Sequence, residues 1–537
     1  MFFFGKYAKN EFEKKKSFEL PPSTTPPNSD DYELIPINDR IKRTQRELRN
    51  KAVIPVTQEE ARYDTLFNYE ENRPFSQPHH IAGFKVINTD GSRYVYGENV
   101  YNSLKEEITF ATNQKTQALT SNYLEQGTAP YILNQATRNN DSGQDHYFNK
   151  VVTPPYAHTY LLTSVLSADY EDVDFNGPSI NDVGSYTLFN YQLYDDEFAW
   201  KTPHGNNIAS FNEGLNTRDN DQKSTIIRGV KELKYLNTIE TKTHVAYFQL
   251  SNRSDGVGSD DSHQQKIDKI YLFSKPEIDK LMEDAGVTNI SQLTSNILNE
   301  NAIKIAHFVY DRDGNGTDDY DLCPGVPNSS NGKLTLHELY FTYRKSNMGK
   351  YNPYKFYYNT TLNSEDSNFP YQAKAQDIWG NYKPHNGSNL LLGIEPNPQE
   401  FPFVDQEDRE LQDFYAQAWT LTSIDLPSGG TIDINYESDD YQYVQDKRAM
   451  QMFKVVGVTK DDEIPSLADI GNDLLYTPGN NYDEEGRYLI IETRESNSNG
   501  VITKDEFIDR YLGDYADKPI YFRFLMNMTK EGGTTSA

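Results

Sequence analysis

Apolar and polar positions alternate with a period of two over much of this chain, and short polar breaks separate the alternating runs. Period two sends successive side chains to opposite faces of an extended backbone, so each run predicts a half-buried β-strand. FKVINTDGSRYVYGENVYN (84–102) alternates, breaks at Asp90-Gly91 and alternates again. Asp-Gly between such runs supplies the positive φ that a tight hairpin turn needs. The texture returns in ITFAT (108–112), YLLTSVL (160–166), VGSYTLFNYQLY (183–194), THVAYFQL (243–250) and IKIAHFVY (303–310). It continues in KLTLHELYFTY (333–343), KYNPYKFYY (350–358), FKVVGV (453–458) and RYLIIET (487–493). LTSIDLPSGGTIDINYE (421–437) is a further hairpin, with Ile424 and Leu426 on one face, Ile432 and Ile434 on a face of the returning strand, and Gly429-Gly430 at the turn. Strands at this density, divided by Asn/Asp/Gly/Pro turns, predict an all-β fold, mainly antiparallel hairpins and sheets with a few short helical inserts.

Two inserts carry helical spacing. SKPEIDKLMEDAG (274–286) offers Ser274 as N-cap, Pro276 in the first turn, Ile278, Leu281 and Met282 on one face, and Gly286 as C-cap. KDEFIDRYLG (504–513) is a shorter version. Residues 5–60 are polar, with PPSTTPPN (21–28) reading as extended linker and INDRIKRTQRELRNKA (37–52) as a short exposed helix. The expected organisation is a polar N-terminal linker over 1–75, a β-rich region over 76–330 and a second β region over 331–537.

Composition changes this picture in two ways. Only 36% of the 537 residues are hydrophobic, but 39 Tyr and 27 Phe compensate, and a Tyr ring packs while its hydroxyl stays wet. The formal net charge is −28, which opposes binding to nucleic acid or to an anionic membrane surface and favours divalent cations. No apolar run approaches the ~18 residues of a membrane helix, so membrane insertion is not expected. A single cysteine, Cys323, rules out a disulfide framework within the chain. The opening MFFFGKYAKNEFEKKK holds only Phe2–Phe4 as an apolar block, short of the ~7–15-residue core of a signal peptide. Either the protein is cytosolic or the chain is a piece of a longer protein, and we read it as a piece.

A family resemblance rests on the second half. Asp377, Trp379, Gly380 and Tyr382 form an Asp-x-Trp-Gly-x-Tyr element. Pro427, Ser428, Gly429 and Gly430 lead to Tyr436, Glu437, Asp440 and Tyr441, a Pro-Ser-Gly-Gly hairpin followed by an acidic Tyr-Glu-x-x-Asp-Tyr segment. Over roughly residues 330–460 this order resembles the region before the repeat core of the large secreted or surface RHS/YD-repeat proteins of Bacteroidota. The resemblance implies a β shell or scaffold segment located outside the cell or on its surface, with other parts of the same polypeptide as its partners. Neither tandem Tyr-Asp repeats nor an aspartyl self-cleavage element occurs here.

The candidate chemistry is that of calcium. Asp311, Asp313, Asn315, Asp319 and Asp321 surround Gly314 and Gly316, and closely spaced oxygens with glycine at the bend suit a hard cation. Leu322 stands where an EF-hand needs a bidentate Glu, so the run is closer to thrombospondin type-3 loops; the plain alternative is a solvated acidic turn. Asp172, Asp174 and Asn176 repeat the spacing, with Asp182 following. SDGVGSDDSH (254–263) is a weaker candidate for the same chemistry and reads rather as a mobile loop. The His residues, His337 among them, show no paired metal-ligand spacing, and carboxylates near Cys323 would raise its pKa and blunt a thiolate. No nucleophile elbow or phosphate loop is present, and no catalytic residue is assigned. Tyr354 and Tyr357 are candidates for stacking on sugar rings, against the ordinary role of cross-strand packing. The expectation is a non-catalytic structural segment stabilised by calcium; the rivals are a module binding cell-surface glycans and a polysaccharide-active enzyme.

Overall fold

The computed structural model describes residues 52–70, 74–112, 128–143, 146–211, 223–326, 332–360, 409–438 and short stretches within 369–384 and 443–508. The fold is mostly antiparallel β-sheet with few short helices. The 37–52 helix falls almost wholly outside these residues, and Asp377, Trp379, Asp440 and Tyr441 lie outside them too.

Thr57 ends strand β1 (Val53–Thr57) and caps a one-turn helix α1 (Gln58–Ala61), exchanging hydrogen bonds with Glu60. β1 pairs with β2 (Ile81–Ile87), and β2 with β3 (Arg93–Tyr96) across the Asp90-Gly91 turn. This corrects the linker expectation for residues 53–70, because Val56, Ala61 and Phe67 are buried with Ala82, Val95, Leu166, Tyr170 and Tyr186. A run too short and too interrupted to show periodicity still supplies an edge strand and core side chains.

Past Gly97 the chain continues as β4 (Glu98–Ala111), then β5 (Thr128–Pro130), β6 (Phe148–Thr153), β7 (Tyr156–Leu161) and β8 (Ser164–Leu166). β9 (Tyr186–Thr202), β10 (Ile208–Phe211) and β11 (Lys223–Thr241) follow. The segment β6–β7–β8 runs antiparallel along β3–β4 as one ladder, from Arg93 opposite Leu166 to Phe110 opposite Phe148. Pro154 and Pro155, which lack N–H groups, occupy the gap between β6 and β7. β8 then pairs with β9, β9 with β11 along nearly its whole length, and β11 back with β4. These ladders form a closed circuit, in which four long paths satisfy one another's backbone groups. Just beyond the end of the β4–β11 ladder, Glu98 and Lys234 form an ion pair at 2.6 Å with side chains 9% and 5% exposed. Glu106 faces Arg228 in register and also binds Lys150 on β6.

From β11 the chain runs as a meander in which each strand pairs with the next. β12 (His244–Val257), β13 (His263–Ser274), β14 (Lys304–Val309), β15 (Glu338–Tyr343), β16 (Tyr354–Tyr358), β17 (Leu421–Asp425) and β18 (Thr431–Asp433) succeed one another. Helix α2 (Lys275–Ala285) sits where expected, ended by Gly286 in the left-handed region at φ 67°. With α3 (Ser295–Asn301) it covers the β12–β14 face, burying Ile278, Leu298, Tyr271, Phe273 and Ile305 in one cluster. Helix α4 (Arg409–Ala416) precedes β17; Phe414 and Tyr415 from it pack on Phe369 and Tyr382, the latter part of the Asp-x-Trp-Gly-x-Tyr element. Two separate strand pairs, β19 (Tyr443–Val444) with β20 (Lys447–Arg448) and β21 (Val455–Thr459) with β22 (Tyr488–Ile491), and α5 (Lys504–Phe507) complete the described elements.

The Pro-Ser-Gly-Gly hairpin forms as read, with Ile424 opposite Ile432 and Gly429 at φ 86°. Ile424, Leu426 and Ile434 are half-buried, but Ile432 is 46% exposed, and its neighbours Thr431 and Asp433 on β18 are exposed too, so neither face of that short strand is covered among the described residues. SDGVGSDDSH is no mobile loop: it contains the end of β12, the turn and the start of β13, with Asp255 fully buried.

Candidate metal centre

The connection between β8 and β9 is a tethered loop. Its base is closed by the bridge of Glu171 with Val183. Arg93 on β3 donates to the Tyr170 carbonyl at 2.6 Å, and Lys242, in the β11–β12 turn, donates to the Asp182 carbonyl. Within this frame Asp172, Asp174 and Asp182 each offer a carboxylate oxygen within 4.8 Å of the others, an arrangement that can hold a metal ion. Asp182 is buried at 5% exposure; one oxygen accepts Val173 N–H at 3.1 Å, the other Ser179 N–H at 2.7 Å and the Tyr170 hydroxyl at 3.0 Å. Burial opposes its charge, but the amide donors of Ser179 and Val173 outweigh that and hold its carboxyl below the usual range. Burial and the bond to Asp182 together push the Tyr170 hydroxyl well above its ordinary pKa.

Asp172 is half-buried. Its Oδ2 accepts Gly177 N–H at 3.0 Å and the Thr65 hydroxyl at 3.3 Å, while Oδ1 is buried without a hydrogen-bond partner. Asp174 is exposed. Of the sequence candidates here the structure brings together Asp172 and Asp174 and adds Asp182; Asn176 is exposed. Gly177, at φ 92°, turns the chain so that its amide meets Asp172.

The second acidic loop is arranged differently. Asp311 accepts the amides of Asn315, at 3.1 Å, and Gly316, the latter bond chiefly holding its carboxyl below the usual range. The bend read from the glycines is therefore real, but its carboxylates do not converge. Asp313 and Asn315 are exposed, and the Asn315 side chain accepts Thr317 N–H at 2.7 Å. Asp319 accepts Arg312 N–H at 2.7 Å, and Asp321 pairs with the Arg312 guanidinium. Among the described residues, only the Asp172 group places three carboxylate, imidazole or thiol ligands within 4.8 Å. The carboxylates of the Asp311–Asp321 set therefore do not form such a group of three, and their oxygens are engaged instead by backbone amides and by Arg312.

His337 is the residue that sequence reasoning passed over. It is 5% exposed, with Nε2 3.3 Å from Asp319 Oδ2 and 3.6 Å from Asp321 Oδ2. Burial and the nearby Arg312 charge lower its pKa against the pull of the two carboxylates. The alternation in KLTLHELYF pointed the other way: it puts Leu334 and Leu336 on the apolar face and Thr335 with His337 on the polar one, yet Thr335 is 1% exposed and both leucines are only half-buried. Cys323 is half-buried, and burial pushes its thiol pKa up, the expected direction from a different cause.

Tyr354 and Tyr357 do not make one stacking platform. They stand three residues apart on the regular strand β16 and so point to opposite faces. Tyr354 packs edge-on against Phe341, and the Tyr357 hydroxyl donates to Asp425 at 2.9 Å. A different aromatic group lines a cavity of about 190 Å³ between β9, β11, β12 and β13, formed by Gln192, Tyr194, Tyr235, Asn237, Phe248 and Gln265 among others. Among the described residues no helix is long and apolar enough to cross a membrane. No protein family, curated protein or solved structure matches the chain.

Proposed function

We propose that this chain is a non-catalytic structural segment of a large secreted or cell-surface β-protein, of the RHS-like shell type, whose β8–β9 loop binds calcium. The observation that carries the reading is the Asp172, Asp174 and Asp182 group, set in a loop already tied to β3 and to the β11–β12 turn. An all-oxygen, carboxylate-rich donor set suits a hard cation of this class. An ion there would join Asp182 to the Asp172–Asp174 end of the loop and stiffen the β8–β9 connection, and the net charge of −28 would draw cations to it.

Thermal unfolding with calcium and after chelation tests this. Binding to the folded state alone raises stability by RT ln(1 + [L]/Kd), so the melting temperature is expected to fall by several degrees on chelation. Asp174→Asn, at an exposed position, is expected to fold normally and to remove that difference. A chelator-insensitive melt of the parent chain overturns the calcium reading. Surface labelling of intact cells is expected to reach this chain; its recovery only from the cytosolic fraction overturns the location.

A second reading, glycan binding, is favoured by the cavity among Tyr194, Tyr235 and three amide side chains. Sugar rings present C–H faces to aromatic rings and hydroxyls to amides, which donate and accept. Saccharide-dependent NMR shifts lost in Tyr235→Ala would support it; their absence across a panel of mono- and disaccharides would end it.

A further inference from the structure

The unassembled loop at Asp311–Asp321 ends against an anomaly. His337 Nε2 is buried and has no hydrogen-bond partner. Such an atom costs free energy unless something else satisfies it, and an absent ion is one recognised explanation. The atom is not aimed at apolar surface but stands between two carboxylates, 3.3 Å from Asp319 Oδ2 and 3.6 Å from Asp321 Oδ2.

Those separations carry chemical information. Two donors about 2.0–2.1 Å from a zinc-class ion, at a tetrahedral angle, are about 3.3 Å apart. Both imidazole–carboxylate edges therefore match the edge of a small coordination shell. Calcium is disfavoured by the donor type rather than by these separations, because it prefers oxygen throughout and one of the three donors is an imidazole nitrogen. We infer that His337, Asp319 and Asp321 form a second metal site, selective for a borderline divalent ion such as zinc, with one position left for water.

The three donor atoms are not mutually within 4.8 Å as those of the Asp172 group are, so the imidazole separates the carboxylates and one of them must turn inward on binding. Arg312 holds that movement back. Its guanidinium pairs with Asp321 and its backbone N–H with Asp319, while the side chain is 62% exposed and free to swing into solvent. The guanidinium is a resident cation that an entering metal displaces from Asp321. The backbone on the other side is fixed: Asp321 N–H donates to Thr335 Oγ1 at 3.0 Å, and Thr335 N–H to the Asp319 carbonyl at 3.0 Å. These bonds lock the Asp319–Asp321 segment to the residues that carry His337, so the site is preorganised on its backbone and gated by one arginine. It is separate from the Asp172 group, and either site can fail without the other.

Cobalt(II) titration of the whole chain, with calcium present to fill the all-oxygen group, tests the assignment. One equivalent is expected to give the visible absorption of a four- or five-coordinate ion, and zinc is expected to bleach it. His337→Gln is expected to weaken binding at least tenfold, and Arg312→Ala to tighten it several-fold, an opposite effect that a misfolded variant could not produce. Zinc is also expected to shift the side-chain nitrogen resonances of His337 in the parent chain. Absence of cobalt absorption at millimolar ion, or a signal indifferent to both substitutions, overturns the site.

Discussion

Asp255 is a carboxylate with no exposed surface, two residues before the turn that joins β12 and β13. The Arg253 guanidinium grips it with two bonds, at 2.7 and 2.6 Å, and Leu334 N–H donates to it at 3.1 Å. Burial works against its charge, but these donors win and hold the carboxyl below the usual range. A depressed folded-state pKa contributes stability that is complete above the ordinary carboxylate value, about 4, and is lost as pH falls through the folded-state value. Asp255→Ala removes one partner of a buried ion pair and is expected to cost about 3–5 kcal/mol by denaturant titration, against little for Asp174→Asn. The same variant is expected to flatten the acid limb of the stability curve below about pH 5, because the titrating group is gone. In the sequence, Asp255 and Asp174 look alike, each an acid near glycine in a turn. Their difference is made by Arg253 and by Leu334, the latter 79 residues away, and no local pattern reports a partner at that range. His337 was hidden for a related reason: the alternation marks Leu334 and Leu336 as the apolar face, so neither the burial of the opposite face nor the carboxylates waiting there could be read from it.

At the level of elements, period two and glycine-bearing turns were the reliable guides. The hairpin at Pro427–Gly430 shows how local that information is. Gly429 has φ 86°, which a β-carbon disfavours, while Gly430 has an ordinary φ and its nearest neighbour to an added β-carbon is Leu426 Cδ1 at 3.9 Å. Gly429→Ala is therefore expected to destabilise by about 1 kcal/mol, and Gly430→Ala to be neutral or to stabilise by about 0.4–1 kcal/mol through the unfolded chain. Equal effects on the melting temperature would mean that the turn conformation is set by something other than these backbone angles. The element that escaped the pattern is the central one. β11, KSTIIRGVKELKYLNTIET, carries Lys231, Glu232, Lys234 and Glu240, and reads as a polar stretch. In the fold three of these are answered by other elements, Glu232 by Tyr101 N–H and Lys234 by Glu98 on β4, and Glu240 by Lys275 at the start of α2. A strand paired on both edges hides its charges against neighbours, so its polarity is no guide to its position. The acidic loop 171–183 was half legible: its spacing indicated oxygens in proximity, but the turn that brings Asp182 to Asp172 depends on Arg93 and Lys242, far away in sequence.

At the scale of the whole molecule the two halves are built on different principles, and this has a measurable consequence. The circuit of β3–β4, β6–β8, β9 and β11 joins residues more than a hundred positions apart, such as Lys105 with Gly229, and no part of it can leave without breaking ladders on both sides. The meander from β13 to β18 adds each strand to the last, and its final hairpin is paired only through β16. Alternation along the chain could reveal strands but not partners, so the closure of the circuit was beyond reach of the sequence. Hydrogen exchange is expected to follow this division. Amides of β4, β9 and β11 are expected to exchange slowest, at rates set by global unfolding, and those of β17 and β18 to exchange first by local opening. Equal protection throughout would show that the meander and the circuit unfold as one unit. Charge acts on both halves together: a net −28 repels itself in the compact state, and added salt screens that repulsion over a Debye length of about 8–10 Å. Sodium chloride is therefore expected to raise the melting temperature even in chelated protein, while calcium at constant ionic strength is expected to add a further rise confined to chains that retain Asp174. If salt alone reproduced the whole calcium effect, diffuse screening would suffice and the carboxylate group at Asp172 would be only an acidic turn.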